Sequence, residues 1–377
     1  MGLFGKIKTL IGNEETATTE SVGKLGNEFS PEALDKPPYT FVDALQAARQ
    51  GNLPKIQDYL KFNSKYARCK NWDDNTLLHE AAYFARPGVV ELLLTKEANV
   101  NGLYKDKTPL HFAIEGAAHQ AKNAAQYMDY KKRRLETVKR LLRHNADIEA
   151  CNETGELPLH VAAKLGHTEL VAALLAHGAP VDCEVEAMGP NAVKGGRTPL
   201  LLAVKHKKDP KTIKLLLDKG ANPNLKDKTP GYAPLHYITA YHSTRQEDNM
   251  TEDDLKELAA FLIEHQADVN AYSVDKQTPL HLAITHHHVG LVDLLLEKGA
   301  DLNAKNGDGF MAMALSARNG DADMVEYFMN KGADVYNSRA LFHAASCEHS
   351  DAALKRLIEK GVDINRPDPQ GYTPLFA

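Results

Sequence analysis

The chain has 377 residues, 43% hydrophobic and 25% charged, and its 45 basic against 50 acidic residues give a formal charge of −5. That balance argues against a polyanion binder driven by overall positive charge, though not against a local basic patch. Four scattered cysteines (Cys69, Cys151, Cys183, Cys347) form no C-x-x-C pair, so a reducing cytoplasm is the expected compartment. No apolar run approaches the roughly 18 residues of a membrane-crossing helix.

In chain order, residues 1–12 place Leu3, Phe4, Ile7, Leu10 and Ile11 on one helical stripe, with Lys6 and Lys8 off it. This is the form of a short interfacial membrane helix. The alternative is a leader that folds back on the rest of the chain or stays disordered. Lys6 breaks the myristoylation pattern. Residues 13–38 are polar, end in Pro37-Pro38 and read as a flexible linker. The predicted folded domain is 39–377. Its first part, 39–70, keeps the alanines and the Gly51-Asn52 turn of the units that follow but lacks their opening motif.

From Thr76 onward one tetrapeptide recurs. It reads Thr76-Leu77-Leu78-His79, Thr108-Pro109-Leu110-His111, Leu157-Pro158-Leu159-His160, Thr198-Pro199-Leu200-Leu201, Ala233-Pro234-Leu235-His236 and Thr278-Pro279-Leu280-His281. Weaker copies begin at Met311, Ala340 and Thr373. Successive starts lie 32, 49, 41, 35, 45, 33, 29 and 33 residues apart, so a unit near 33 residues is lengthened by insertions. Each unit has the same grammar. Thr caps a helix that opens on Pro, whose missing N–H had no partner there. Small residues such as Ala162-Ala163 allow close helix packing, Gly166-His167 turns the chain, and Glu169 to Leu175 forms a second helix stopped by Gly178. One such pair cannot bury its own apolar face, so the units must stack.

The stretch from Asn152 to His167 closely resembles the ankyrin repeat, as does Gly299-Ala300-Asp301-Leu302-Asn303-Ala304. The resemblance covers residues 39–377 and implies an all-α repeat solenoid of stacked helix-turn-helix units with β-hairpin fingers. About eight repeats are expected after the 39–70 cap. The last breaks off one turn into its first helix, which predicts a native protein continuing beyond Ala377. Three insertions stand out: 117–132 in repeat two, 241–253 in repeat five, and 184–196 before repeat four. The first two occupy equivalent places and are expected to emerge on one edge of the solenoid, as surface decoration or as a second contact site.

The resemblance makes His79, His111, His160, His236, His281 and His343 structural, through local hydrogen bonds, with His167 at the turn. No metal site and no cofactor is expected; His286-His287-His288 does not converge on one ion. His343 and Cys347 lack the third group and oxyanion turn of a nucleophilic site. The run Lys131 to Arg143 reads as a solvated helix face.

In this family contact residues come from the finger tips and the two positions after the paired alanines. Carried across, these are Trp72, Asp73, Tyr83, Phe84, Tyr104, Glu115, Lys164, Leu165, Arg197, Lys205, His206, Tyr241, Phe310 and Tyr336. Trp72, Tyr83, Phe84 and Tyr104 are expected to form one anchor pocket, being of the types that dominate interfaces. The resemblance also marks Asn270 and Asn303 as hydroxylation candidates. The expectation is a non-enzymatic module that binds a protein or peptide on its concave surface. Alternatives are the targeting module of a longer enzyme, a membrane-recruited adaptor using residues 1–12, or a nucleic-acid contact through Lys131 to Arg143, which is disfavoured. Divergent, insertion-bearing repeats also resemble the ankyrin proteins that intracellular bacteria deliver into the host cytoplasm.

Overall fold

The computed structural model describes residues 40–62, 64–118, 121–185, 195–206, 209–241, 250–336, 339–367 and 371–374. The leader and linker expected over residues 1–38 lie outside the described residues. Eighteen α-helices among the described residues form nine consecutive pairs. The opening pair is α1 (Phe41–Gln50) and α2 (Leu53–Phe62). Then follow α3 (Leu77–Tyr83) with α4 (Pro87–Thr95), α5 (Pro109–Glu115) with α6 (Ala124–Arg143), and α7 (Pro158–Lys164) with α8 (Thr168–Ala176). Next come α9 (Pro199–His206) with α10 (Pro210–Asp218), and α11 (Pro234–Thr239) with α12 (Glu252–Glu264). The row ends with α13 (Pro279–Thr285) and α14 (Val289–Glu297), α15 (Ala312–Arg318) and α16 (Ala322–Asn330), and α17 (Ala340–Ala345) and α18 (Asp351–Glu359).

From α3 onward the first helices of these pairs span only six to eight residues, well below the length at which an isolated helix persists in water. Packing must therefore hold them. Each first helix packs on the next, from α1 through every odd-numbered helix to α17. Ala81, Ala82, Ala162, Ala163, Ala283 and Ala314 are buried in that contact, where a larger side chain would force the helices apart. One hydrophobic cluster runs from Ala44 to Val362, so the described chain shares a single continuous core.

The motif histidines tie neighbouring units together, beyond the local bonding expected of them. The His281 Nδ1 atom accepts the Thr278 N–H (3.1 Å), while Nε2–H donates to the Phe310 carbonyl of the next finger (3.0 Å). His111 reaches the Glu156 carbonyl (3.2 Å) and His236 that of Gln277 (3.1 Å) in the same way. The fingers are tight turns. Among the described residues their strand-type pairing is limited to two isolated antiparallel bridges, Lys70 with Thr76 and Tyr104 with Lys107. A leading Asn or Asp side chain does the work of a ladder: Asn152 Oδ1 accepts the N–H groups of Thr154 and Glu156 (both 2.9 Å). Asn306 and Asp227 serve their own turns likewise.

From Ala124 onward the insertion of repeat two is helical rather than loop. It lengthens α6 to 20 residues, where most second helices have nine. The basic run on α6 also departs from a solvated face. Arg134 is buried, and its guanidinium donates to His167 Nε2 of the next repeat (2.9 Å). Most of the other two insertions, residues 186–194 and 242–249, lies outside the described residues.

Candidate recognition surface

Finger residues and the C-terminal ends of the first helices form one surface, because each finger folds back against its own helix. Lys107 of a finger pairs with Glu115 of α5 (2.8 Å), and Lys164 of α7 pairs with Glu156 of its finger (2.9 Å).

At repeats one and two this surface is aromatic. Tyr83 and Phe84 meet edge to face with ring centroids 5.2 Å apart, and Tyr83 lies 6.1 Å from Phe112. Phe112 stacks on Tyr104 at 5.4 Å, and both rings contact His79. Arg49 lies over Phe84 and Lys105 over Tyr104, so cations rim the patch. The structure thus joins three of the four expected anchors. Trp72 stands apart on its finger tip, 89% exposed, and Asp73 beside it approaches Lys105 at 4.0 Å. Phe112 was missing from the sequence-based set. It sits one residue past the motif histidine, and its three-residue spacing from Glu115 puts both on one helix face.

At repeats three and four the surface turns basic. Lys164, Arg197, Lys205 and His206 converge, and burial, then Lys164 and Lys205, hold the His206 pKa down at about 4. The Lys205 ammonium lies 5.5 Å from the centre of the Tyr237 ring. The Arg197 Nε is buried with no hydrogen-bond partner among the described residues. Two carboxylates are sunk into this region: Glu156 pairs with Lys164 of the patch itself, and Asp227 accepts from the Tyr237 hydroxyl and two backbone N–H groups. This leaves Arg197 and Lys205 as the cations of the patch without a carboxylate partner at ion-pair distance among the described residues.

Further along, Phe310 packs against the His343 ring at 4.5 Å under the Arg318 guanidinium. Tyr336, 44% exposed, lies under Arg366 at 4.0 Å. Leu165 is half-buried against the core. Tyr241 corrects its sequence-based placement. At 7% exposure it belongs to the core, and its carbonyl accepts a hydrogen bond from His288 Nε2 (2.7 Å). It is the last described residue before 242–249, within an insertion, and counting from the repeat could not fix its register there. Asn270 and Asn303 sit at the turns leaving the second helices, with their side-chain oxygens accepting the N–H groups of Asp301 and Asp334. Among the described residues no group of three His, Cys, Asp or Glu side chains could hold a metal ion. No helix there is long and apolar enough to cross a membrane.

A family model described as ankyrin repeats matches residues 44–128, 123–227, 229–306 and 310–377, and a second of like description matches 284–329. The human transient receptor potential cation channel subfamily A member 1 is 26% identical over 264 residues, covering 67% of this chain and 20% of that protein. The mouse B-cell lymphoma 3 protein homolog is 30% identical over 171 residues, 45% of this chain and 34% of its own. The chain therefore spans about a third or less of these relatives. The solved ankyrin repeat domain of Bcl-3, described as a member of the IkappaB family, aligns at a TM-score of 0.52 with 26% identity over 69% of this chain and all of its own. The human ASB11 ankyrin repeat domain aligns at 0.50 with 22% identity over 68% of this chain and 98% of its own.

Proposed function

The chain belongs to the ankyrin repeat family, and from that premise we propose a non-catalytic module that grips an extended segment of a protein partner on its finger-and-first-helix surface. The segment carries an aromatic or large apolar residue followed by acidic ones. The observation that carries this reading is the order of the two patches: the Tyr83, Phe84, Tyr104 and Phe112 rings, then the Lys164, Arg197 and Lys205 cations around the neutral His206 ring on the next repeats. Rigid stacked helices hold both patches in place, so little side-chain freedom is lost on binding.

Selection from a random peptide library on the immobilised chain tests it. Enriched peptides are expected to pair an aromatic with acidic residues, and to be lost by a Tyr83→Ala/Phe84→Ala variant of unchanged melting temperature. Enrichment indifferent to both patches would sink the reading. Action in a host-cell cytoplasm after delivery is the finer proposal, supported by the likeness to delivered ankyrin proteins. Recovery of the tagged chain only inside its source cells would end it. Membrane contact through residues 1–12 is a separate proposal, ended if vesicle flotation is equal with and without them.

A further inference from the structure

Next to the aromatic patch, where α6 overhangs its neighbours, lies a cavity of ≈ 160 Å³. Phe84, Arg86, Ala117, Asp129, Tyr130 and Arg133 contribute to its walls. Both arginines are tethered through Nε. Arg86 donates to the Arg49 carbonyl (2.7 Å), and Arg133 donates to Asp129 (2.9 Å). This arrangement fixes each guanidinium while leaving its terminal amino groups for another acceptor. Two cations against one carboxylate give the cavity net positive charge. Burial, then the charge of Arg133, lower the Arg86 pKa against the opposing effect of Asp129, so the two guanidiniums feel one another.

The third wall is Tyr130, 6% exposed. Its hydroxyl lies near the Ala117 N–H and the Arg134 guanidinium but meets neither at hydrogen-bond geometry. Buried polar groups are almost always satisfied, so a ligand oxygen in the cavity would complete this one. The volume corresponds to about five waters at roughly 30 Å³ each. That suits a phosphoryl group and is too small for a nucleotide.

We propose that this cavity binds the phosphoryl group of a phosphorylated side chain on the polypeptide held by the recognition surface. Phe84 favours this source, because it belongs to both the cavity wall and the aromatic patch. The choice of source rests on the recognition reading above; the cavity's chemistry does not.

The test titrates the full chain with inorganic phosphate, then with O-phosphoserine, at pH 7.5 and constant ionic strength set by chloride, reading melting temperature. Both probes are expected to raise it saturably. An Arg86→Gln/Arg133→Gln variant weakens both by about tenfold or more. Tyr130→Phe weakens them less and guards against a folding defect in the double variant. Lys298→Gln, on a distant repeat, leaves the response intact. A response to phosphate no larger than to chloride, or one surviving in the double variant, overturns the site. A response to inorganic phosphate without one to O-phosphoserine overturns the phosphorylated-side-chain source. Failure of the recognition reading shows separately, because Tyr104→Ala, in the aromatic patch but outside the cavity wall, acts on peptide capture and not on inorganic phosphate.

Discussion

Asn270 bonds in three directions. Its backbone N–H donates to Asp268 (2.9 Å), its Nδ2 donates to the Gly299 carbonyl (3.1 Å), and its Oδ1 accepts the Asp301 N–H (2.7 Å). Asn224 repeats the pattern one unit earlier, bonding the Gln266 carbonyl and the Asp268 N–H, and Asn101 joins Asp147 in the same way. The result is a polar seam across successive repeats, opposite in character to the apolar contact between first helices. Replacing Asn270 by Ala removes one donor and one acceptor across the seam, so a loss of about 1–2 kcal/mol is expected. The Asp301 amide should also exchange its hydrogen faster; unchanged exchange would refute the seam. The sequence shows the Asp268-Val269-Asn270 spacing, and the resemblance suggested hydroxylation of Asn270. It does not show that the amide is occupied on both sides, because the partners lie 29 and 31 residues away. A modifying enzyme would first have to open this turn.

Helix boundaries were legible wherever Thr-Pro and Gly punctuate the chain, as at Thr278-Pro279 and Gly299. They were least legible in α6. An excess of residues over the 33-residue unit reads as a loop, yet 124–143 contains no Gly or Pro, and the excess extends the helix. Sequence reasoning also left Arg134 on a solvent face, since only the stacked neighbour reveals its burial. Gly116 makes the overhang fit. Its φ of 56° is left-handed, and a Cβ there would come 1.9 Å from the Tyr130 hydroxyl. Gly116→Ala is therefore expected to cost about 3 kcal/mol, combining backbone strain with a clash. Gly299→Ala, with φ at 89° and open space around it, should cost only about 1–2 kcal/mol. Tyr130→Phe deletes the clashing atom, so the Gly116→Ala/Tyr130→Phe pair should be less destabilised than the sum of its members, by about 1 kcal/mol in urea unfolding. Strict additivity would show that Tyr130 does not fill that space.

At the scale of the whole solenoid, the repeated histidine becomes a collective acid sensitivity. Burial pushes His79, His111, His160 and His236 down to about 4, and lowers His281 as well, with the carbonyl acceptors on Nε2 offsetting only part of the shift. In the unfolded chain these rings take up protons near pH 6.5. Between those values the unfolded state holds more protons than the folded one, so stability rises with pH across that window. The contribution is fully present above about pH 6.5 and is lost as pH falls toward 4. Each histidine changes stability by up to about 1.4 kcal/mol per pH unit, and domain stabilities are only about 5–15 kcal/mol. Because the rings lie in one continuous core, their losses act on one structure. The melting temperature is therefore expected to be nearly level from pH 8 to 7 and to fall steeply between pH 6.5 and 5. His281→Gln should flatten that fall by about one proton's worth while lowering stability at pH 8, where its hydrogen bonds to Thr278 and Phe310 are lost. A melting temperature that stays level down to pH 5 would mean that the rings are already protonated in the fold. That would contradict the Nδ1 acceptor role that the Thr278 N–H assigns to His281.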